Sequence, residues 1–244
     1  MLPDAVAAYL ARIGIAEPPA PTADGLAQLH VAHLLTVPFE NTSIHAGERI
    51  QLDVAWLHDK IVQRRRGGFC YELNGLFAEL LVALGFTVER LAARVFTDDG
   101  GLGIPFDHMC LRVDGTWLAD VGFGDSFVRP LRLDEPGEQS DGRRQFRIVA
   151  DGPDARVLED AGRPAFRFDL TPYALADFAP GSTYHQTSPD SPFTKRRVVS
   201  RMTSDGRITL RDDRLIVTDA AGHKTETPIE AADWHRHARE HFGL

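Results

Sequence analysis

Cys70 is the residue whose type and position most favour covalent chemistry. It follows Gly67 and Gly68 and stands where a leucine-rich helical pattern begins. A cysteine at the start of a helix faces unpaired backbone N–H groups and the positive end of the helix dipole. Both lower the pKa of a thiol, and the N–H groups can also hold an oxyanion. The position therefore predicts a nucleophile, although a small core residue at a helix start would give the same pattern.

A cysteine nucleophile needs a base, and the chain contains 10 histidines. His108 is the candidate because it opens a predicted strand whose neighbour carries an aspartate. His237 and His241 are four residues apart on a predicted helix, a spacing that can hold a metal ion. Because the sequence offers them no convincing third ligand, we interpret them as part of a solvated helix face and predict no metal site.

The turn that follows the strand of His108 decides whether Asp120 can orient the imidazole. A two-residue loop would turn Asp120 to the opposite face of the sheet. A three-residue loop that ends at Gly115, with a positive φ there, would pair Arg112 with Thr116. His108 and Asp120 would then be directly opposite, with Cβ atoms about 4.5–5.5 Å apart. The Asp-Gly turn fits either loop, and only the second completes a Cys–His–Asp triad. We therefore predict the three-residue loop.

Helical periodicity dominates the first third of the chain. The apolar spacing from Leu26 to Leu34 predicts a helix that ends before Pro38. Asp53 can cap a second helix, whose last turn would hold the arginines at 64–66. The strongest pattern runs from Leu73 and repeats at i+3, i+4, i+7, i+8 and i+11 before a glycine stop.

After residue 85 the apolar pattern changes to a period of two residues, which is typical of strands. Strands are predicted at Val88–Phe96, His108–Val113, Thr116–Val121, Phe146–Val149, Ala165–Leu170, Arg197–Met202, Ile208–Arg211 and Leu215–Asp219. A loop is predicted at Asp134–Gly142 and a last helix at Ile229–Phe242. Helices followed by strands indicate an α+β fold with segregated layers.

Length, charge and cysteine content exclude several classes of protein. The 244 residues, with 43% hydrophobic and 25% charged side chains, are typical of a globular chain. The net charge of -8 argues against non-specific nucleic-acid binding, and two cysteines cannot build a disulfide scaffold. Because the sequence shows neither a basic signal region nor a membrane-length apolar run, we expect a cytoplasmic protein.

The residues around these candidates resemble the arylamine N-acetyltransferases. The segments that carry the resemblance are Val37–Asn41, Arg66–Asn74, Asp107-His108, Trp117–Gly124 and Ser188–Phe193. The resemblance implies an N-terminal helical bundle at 1–85 carrying the nucleophile, a central β-barrel at 86–190 carrying His and Asp, and a reduced C-terminal α/β lid at 191–244, around a cysteine-protease-like core.

The resemblance also implies roles for individual residues. Cys70 is the nucleophile, His108 the base and Asp120 the residue that orients it. Glu40 and Arg66 match a structural ion pair beside the site.

By the same resemblance, Phe39 and Phe123 line the acceptor pocket. The implied reaction is ping-pong transfer of an acetyl group from acetyl-CoA, through a Cys70 thioester, to an arylamine or arylhydrazine nitrogen, without a metal. An amide synthase of a biosynthetic pathway on this fold, a thiol hydrolase or transglutaminase-like enzyme, and a non-enzymatic domain stay open as alternatives.

Three features qualify the resemblance. The family often has Thr or Ser before the histidine, whereas Asp107 stands here and would raise the pKa of His108 if it pointed inward. The segment after Phe193 is short for the family. Cys110 lies on the same predicted strand face as His108 and has no assigned role.

Overall fold

The computed structural model describes residues 1–244. Its helices are α1 (Pro3–Arg12), α2 (Ala23–Thr36), α3 (Thr42–His45), α4 (Val54–His58), α5 (Cys70–Ala83), α6 (Ala179–Thr187), α7 (Pro192–Lys195) and α8 (Trp234–Phe242). A π-helical turn at Asp59–Gln63 extends α4, and 3₁₀ turns precede α6 and α8. None of the helices combines the length and the apolar character that crossing a membrane requires.

Thirteen strands form two antiparallel sheets. The strands are β1 (Phe39–Glu40), β2 (Val88–Val95), β3 (His108–Val113), β4 (Trp117–Ala119), β5 (Leu131–Arg132), β6 (Gln139–Ser140), β7 (Gln145–Ala150), β8 (Ala155–Asp160), β9 (Arg163–Tyr173), β10 (Val198–Thr203), β11 (Gly206–Arg211), β12 (Arg214–Asp219) and β13 (Lys224–Pro228). Helices and antiparallel sheets in separate layers confirm the α+β class.

The larger sheet has the order β5-β4-β3-β2-β9-β8-β7-β6 and is nearly closed. The side chain of Gln139 in β6 bridges the two edges, since it accepts the Arg132 N–H at 2.6 Å and donates to the Arg132 carbonyl at 2.8 Å. The smaller sheet has the order β1-β10-β11-β12-β13. It joins an N-terminal strand to the C-terminal part of the chain.

The helix boundaries follow from capping, with one correction. Asp53 accepts the Trp56 N–H and caps α4, as predicted. The arginines at 64–66 do not fill a last helical turn, because the helical segment ends at Gln63 and Arg65 has a left-handed φ of 54°. Arg64 forms a salt bridge with Glu48 instead.

The turn between β3 and β4 has the predicted length but a different register. Val113 pairs with Trp117, which leaves three residues in the loop. Gly115 has the predicted positive φ, 68°. The loop lies one residue later than expected, from Asp114 to Thr116, because Asp114 also adopts a left-handed φ of 50°.

As a result, His108 and Asp120 are not directly opposite each other. If the register of β3 and β4 is continued past Ala119, the last residue of β4, Asp120 lies opposite Cys110. The Asp120 side chain therefore contacts His108 diagonally across the two strands. The register prediction was wrong, yet both side chains remain on one face of the sheet.

The strands and helices that the sequence pattern missed lack clear periodicity. All five residues of β13 are exposed, so they show no apolar alternation. In β8 only two of six residues are buried, and they are three positions apart. Pro180 and Gly181 weaken the helical signal of α6.

Candidate active site

Cys70 is the first residue of α5 and is 3% exposed. Its backbone packs against Gly122 in the loop after β4. A Cβ on Gly122 would lie 2.7 Å from Cys70 Cα and 2.8 Å from Asn74 Nδ2, so only glycine permits this approach. The close contact fixes the position of the thiol relative to the end of β4.

The imidazole of His108 connects Cys70 with Asp120. Its Nε2 lies 2.7 Å from Oδ2 of Asp120, and the two side chains are 4% and 0% exposed. The Cys70 thiol lies close to the imidazole, since His108 lowers the pKa of the thiol and the thiol raises the pKa of His108. The three residues predicted as a triad therefore lie together, with Cys70 and His108 in one cavity wall and Asp120 bonded to His108.

The surroundings of His108 favour its protonated form. Burial alone would lower the pKa of His108, because it disfavours the imidazolium. The charge and the hydrogen bond of Asp120, together with the contact to Cys70, outweigh burial and raise that pKa to about 10. His108 can therefore accept a second proton at neutral pH, as a base beside a thiol must.

The Cys70 thiol experiences opposing influences. Burial is the largest and raises its pKa, whereas the neighbouring His108 and the nearby backbone of Met109 lower it. The net direction is upward, so the expectation that the helix start lowers this pKa was wrong. The thiolate therefore depends on its pairing with the His108 imidazolium.

This dependence predicts the effect of His108→Asn on the reactivity of Cys70. Loss of the imidazolium leaves burial unopposed, so the midpoint of iodoacetamide alkylation should move to higher pH by about 1–3 units. The measurement is the alkylation rate of each cysteine against pH, followed by peptide mass. Cys110 is buried and serves as the internal control, which should stay unmodified in both proteins. An unchanged Cys70 profile would contradict the pairing.

Asp120 is held by residues whose roles the sequence did not reveal. Its Oδ1 accepts hydrogen bonds from Asn74 Nδ2 at 2.8 Å and from the Gly122 N–H at 2.9 Å. The Asp120 N–H donates to Nε2 of His30, whose Nδ1 then donates to the Val128 carbonyl. Asn74 lies four residues after the nucleophile on α5. That i, i+4 spacing indicates that the two side chains share one face of the helix.

The predicted ion pair between Glu40 and Arg66 is present. Arg66 Nη2 lies 2.9 Å from Oε1 of Glu40, which is fully buried. Burial would raise the pKa of Glu40, but the charges of Lys60 and Arg66 and the hydrogen bonds of Thr42 lower it. The Glu40 N–H also donates to the Gly68 carbonyl at 2.8 Å. The pair thus ties β1 to the loop that leads into the nucleophile.

A cavity of about 190 Å³ opens beside the triad. Phe39 and Phe123, the predicted pocket residues, both lie in its wall, together with Phe193. The rings of Phe123 and His108 are 5.2 Å apart between centroids. A larger apolar groove of about 710 Å³ along α1 contains none of the predicted site residues.

Comparison with known proteins identifies the family of this chain. A family model described as N-acetyltransferase matches residues 22–244. An arylamine N-acetyltransferase of Mycolicibacterium smegmatis is 36% identical over 222 residues, which cover 86% of this chain and 80% of that relative. The chain belongs to the arylamine N-acetyltransferase family.

Two further relatives extend the comparison. An arylamine N-acetyltransferase / N-hydroxyarylamine O-acetyltransferase of Salmonella typhimurium is 34% identical over 207 residues, covering 82% of this chain and 73% of that one. The structure of the Mycobacterium marinum arylamine N-acetyltransferase in complex with CoA matches with a TM-score of 0.90 and 31% identity, over 98% of this chain and 92% of that one.

In this N-acetyltransferase a second buried ion pair holds the start of α5. Lys60 Nζ lies 2.7 Å from Oε1 of Glu72, and both side chains are 0% exposed. The Phe69 N–H donates to Oε2 of Glu72 at 3.1 Å. Burial raises the pKa of Glu72 to about 7, although Lys60 opposes the shift. The sequence gives no sign of this pair, because lysine and glutamate are ordinary surface residues.

We expect Lys60→Met to destabilise the fold by about 3–5 kcal/mol, because it leaves the buried Glu72 carboxylate without an opposite charge. The loss should be smaller at about pH 5 than at about pH 8. At the lower pH the buried carboxyl of the folded variant is protonated and uncharged, whereas at the higher pH it carries an unpaired charge. Urea unfolding at the two pH values measures both effects. Arg64→Met, which removes two partly exposed ion pairs with Glu48 and Asp59, is the control and should cost less than about 1 kcal/mol. Equal losses in the two variants would contradict this account.

Three titratable residues near the triad take no part in its hydrogen bonds. Asp125 pairs with Arg144 and Arg207 rather than with the triad. Asp107 does not act on His108 as the sequence allowed, because its carboxylate contacts His185. Cys110 is a free thiol in the core of the larger sheet.

The histidines of α8 do find a third group. Ligand atoms of His237, Glu240 and His241 lie within 4.8 Å of one another. Arg236 already lies 3.7 Å from Glu240, which is exposed. This cluster contributes no residue to the wall of the catalytic cavity.

Proposed function

We propose that this enzyme transfers an acetyl group from acetyl-CoA, through a thioester on Cys70, to the nitrogen of an arylamine or arylhydrazine. The observation that carries the proposal is the presence of Cys70 and His108 in the wall of one aromatic-lined cavity, with Asp120 Oδ2 2.7 Å from Nε2 of His108. The names of the relatives and the CoA complex of one of them support the acetyl donor and the aromatic acceptor.

In the first half of the reaction, the Cys70 thiol has passed its proton to Nδ1 of His108, and the thiolate attacks the carbonyl carbon of the acetyl thioester. The N–H groups of Cys70 and Tyr71 at the start of α5 donate to no backbone carbonyl and can stabilise the oxyanion. The tetrahedral intermediate collapses by breaking the bond to the coenzyme A sulfur. That sulfur leaves with the proton held by His108, and an acetyl–Cys70 thioester remains.

In the second half, the acceptor nitrogen attacks the acetyl carbon and passes its proton to His108. The bond to Cys70 Sγ then breaks, and the amide product leaves. Asp120 keeps the Nε2 proton of His108 in place throughout, so Nδ1 is free to receive a proton in each half-reaction. The reactive thiol must be reduced, which agrees with the expected cytoplasmic location.

The remaining residues have supporting roles in this proposal. Phe39 and Phe123 form apolar walls against which the aromatic ring of the acceptor packs. Glu40 and Arg66 fix the loop before the nucleophile. The segment 1–85 supplies Cys70, the segment 86–190 supplies the base and its orienting carboxylate, and the segment 191–244 is the lid, which includes Phe193 of the cavity wall.

The test is a chase of the isolated acetyl-enzyme. The protein is incubated with acetyl-CoA, freed of coenzyme A by gel filtration, and mixed with an arylamine. The proposal predicts one equivalent of N-acetylarylamine, and free coenzyme A should compete by reversing the first step. Release of acetate alone would contradict the proposal and favour a thiol hydrolase. Formation of amides only from other acyl donors would favour an amide synthase.

A further inference from the structure

A second carboxylate–imidazole pair borders the catalytic cavity. Nε2 of His185 lies 2.9 Å from Oδ1 of Asp107, and both residues lie in the cavity wall with Cys70 and His108. The side chains of His185 and Asp107 are 4% and 12% exposed, so little of the pair meets bulk water. The acetyl-transfer steps described above do not use it.

The hydrogen bonds of His185 fix the orientation of its ring. Its Nδ1 lies 3.0 Å from Oγ of Ser191, and that hydroxyl donates to the His185 carbonyl oxygen at 3.3 Å. The Phe193 N–H donates to the same Oγ at 3.2 Å. Because a carboxylate only accepts, Nε2 carries a proton and donates it to Asp107.

The Asp107 carboxylate is held by hydrogen bonds at both oxygens but accepts fewer of them than it can. Its Oδ1 accepts from His185, and its Oδ2 accepts the Val95 N–H at 3.1 Å. The Tyr71 hydroxyl, next to the nucleophile on α5, lies 2.9 Å from the Asp107 carbonyl oxygen. An ionised carboxylate can accept about four hydrogen bonds, and no Lys or Arg forms a salt bridge with this one. About two acceptor positions of this carboxylate thus have no partner within the protein.

We propose that Asp107, positioned by His185, is a subsite for the acceptor that binds a cationic or N–H-donating substituent and disfavours an anionic one. An amidinium group can donate two parallel hydrogen bonds to a carboxylate, and charge-assisted bonds are about twice as strong as neutral ones. A carboxylate substituent in the same small cavity would be repelled. The inference rests on the proposed function, because it requires the acceptor to enter this cavity.

The test uses three acceptors of nearly the same shape and different charge. Aminobenzamidine, aminobenzamide and aminobenzoate are compared as meta and para isomers, so that the result does not depend on which ring position meets Asp107. In the unaltered enzyme, kcat/KM should be at least about tenfold higher for the amidine than for the benzoate in one isomer series or both. The amidine carries the least nucleophilic amine of the three, so this order cannot come from intrinsic reactivity.

Asp107→Asn should reduce the ratio of amidine to benzoate by about tenfold and leave formation of the acetyl-enzyme intact. Asp190→Asn removes the same charge from an exposed position outside the cavity wall and is the matched control, which should keep the ratio. A ratio that is unchanged in Asp107→Asn would overturn the subsite. A preference of the unaltered enzyme for the benzoate in both isomer series would also overturn it, even if the variant does not fold. Absence of acetylation with every amine would instead contradict the proposed function.

Discussion

Cys70→Ala is expected to lower kcat/KM for arylamine acetylation by at least about 10⁴-fold. The thiol is the only group in the proposed mechanism that forms a covalent bond to the acetyl carbon, and no other thiol or hydroxyl takes part in the contacts of His108. The substitution leaves the helix start and the Gly122 contact intact, so binding of coenzyme A should change little. The measurements are the acetylation rate with a saturating arylamine and the affinity for coenzyme A by calorimetry.

Cys110→Ala is the matched control for that experiment. Cys110 is also a fully buried free thiol, but it belongs to the core of the larger sheet. Its replacement should lower the free energy of unfolding modestly and leave the acetylation rate within about twofold, because the surrounding core loses only one small group. Substantial activity in Cys70→Ala, or loss of activity only in Cys110→Ala, would contradict the assignment of the nucleophile.

Asp120→Asn is expected to lower kcat by about 10³–10⁴-fold while the protein stays folded. Oδ1 of Asp120 accepts N–H groups of Asn74 and Gly122, so the amide oxygen of the new asparagine must take that position. Its NH₂ group would then face His108 and donate to Nε2. The imidazole proton would move to Nδ1, and the nitrogen beside Cys70 could no longer accept the proton of the thiol.

The variant should also show a changed dependence on pH. Asp120 is the main group that raises the pKa of His108 to about 10 against burial. Without its charge, that pKa should fall, and the thiolate–imidazolium pair should be lost at a lower pH than in the unaltered enzyme. Asp141→Asn is the control: Asp141 is 2% exposed and accepts the N–H groups of Val128 and Arg144 away from the triad. It should affect thermal stability more than the pH profile. Equal pH profiles for Asp120→Asn and the unaltered enzyme would contradict the role given to Asp120.

The sequence predicted the parts of the site that depend on local patterns. The leucine spacing after residue 70 located α5 and set Cys70 at its start. The motif resemblance brought Glu40 and Arg66 together correctly. These features follow from periodicity and from short motifs, which are properties of neighbouring residues in the chain.

The features that the sequence did not predict depend on tertiary structure. The hairpin register shifted because Asp114 adopts a left-handed φ, which the Asp-Gly pair permits without requiring it. The direction of the Cys70 pKa shift was wrong because helix position can be read from a sequence but complete burial of a thiol cannot. The Asp107–His185 pair joins residues 78 positions apart, and no local pattern relates them.

The most direct test of the account is the intact mass of the protein after incubation with acetyl-CoA and no acceptor. We predict a mass increase of one acetyl group per chain, located on the peptide that contains Cys70 and removed when an arylamine is added. A protein that acetylates arylamines but carries no acetyl group on Cys70, or carries it on another residue, would contradict the central claim.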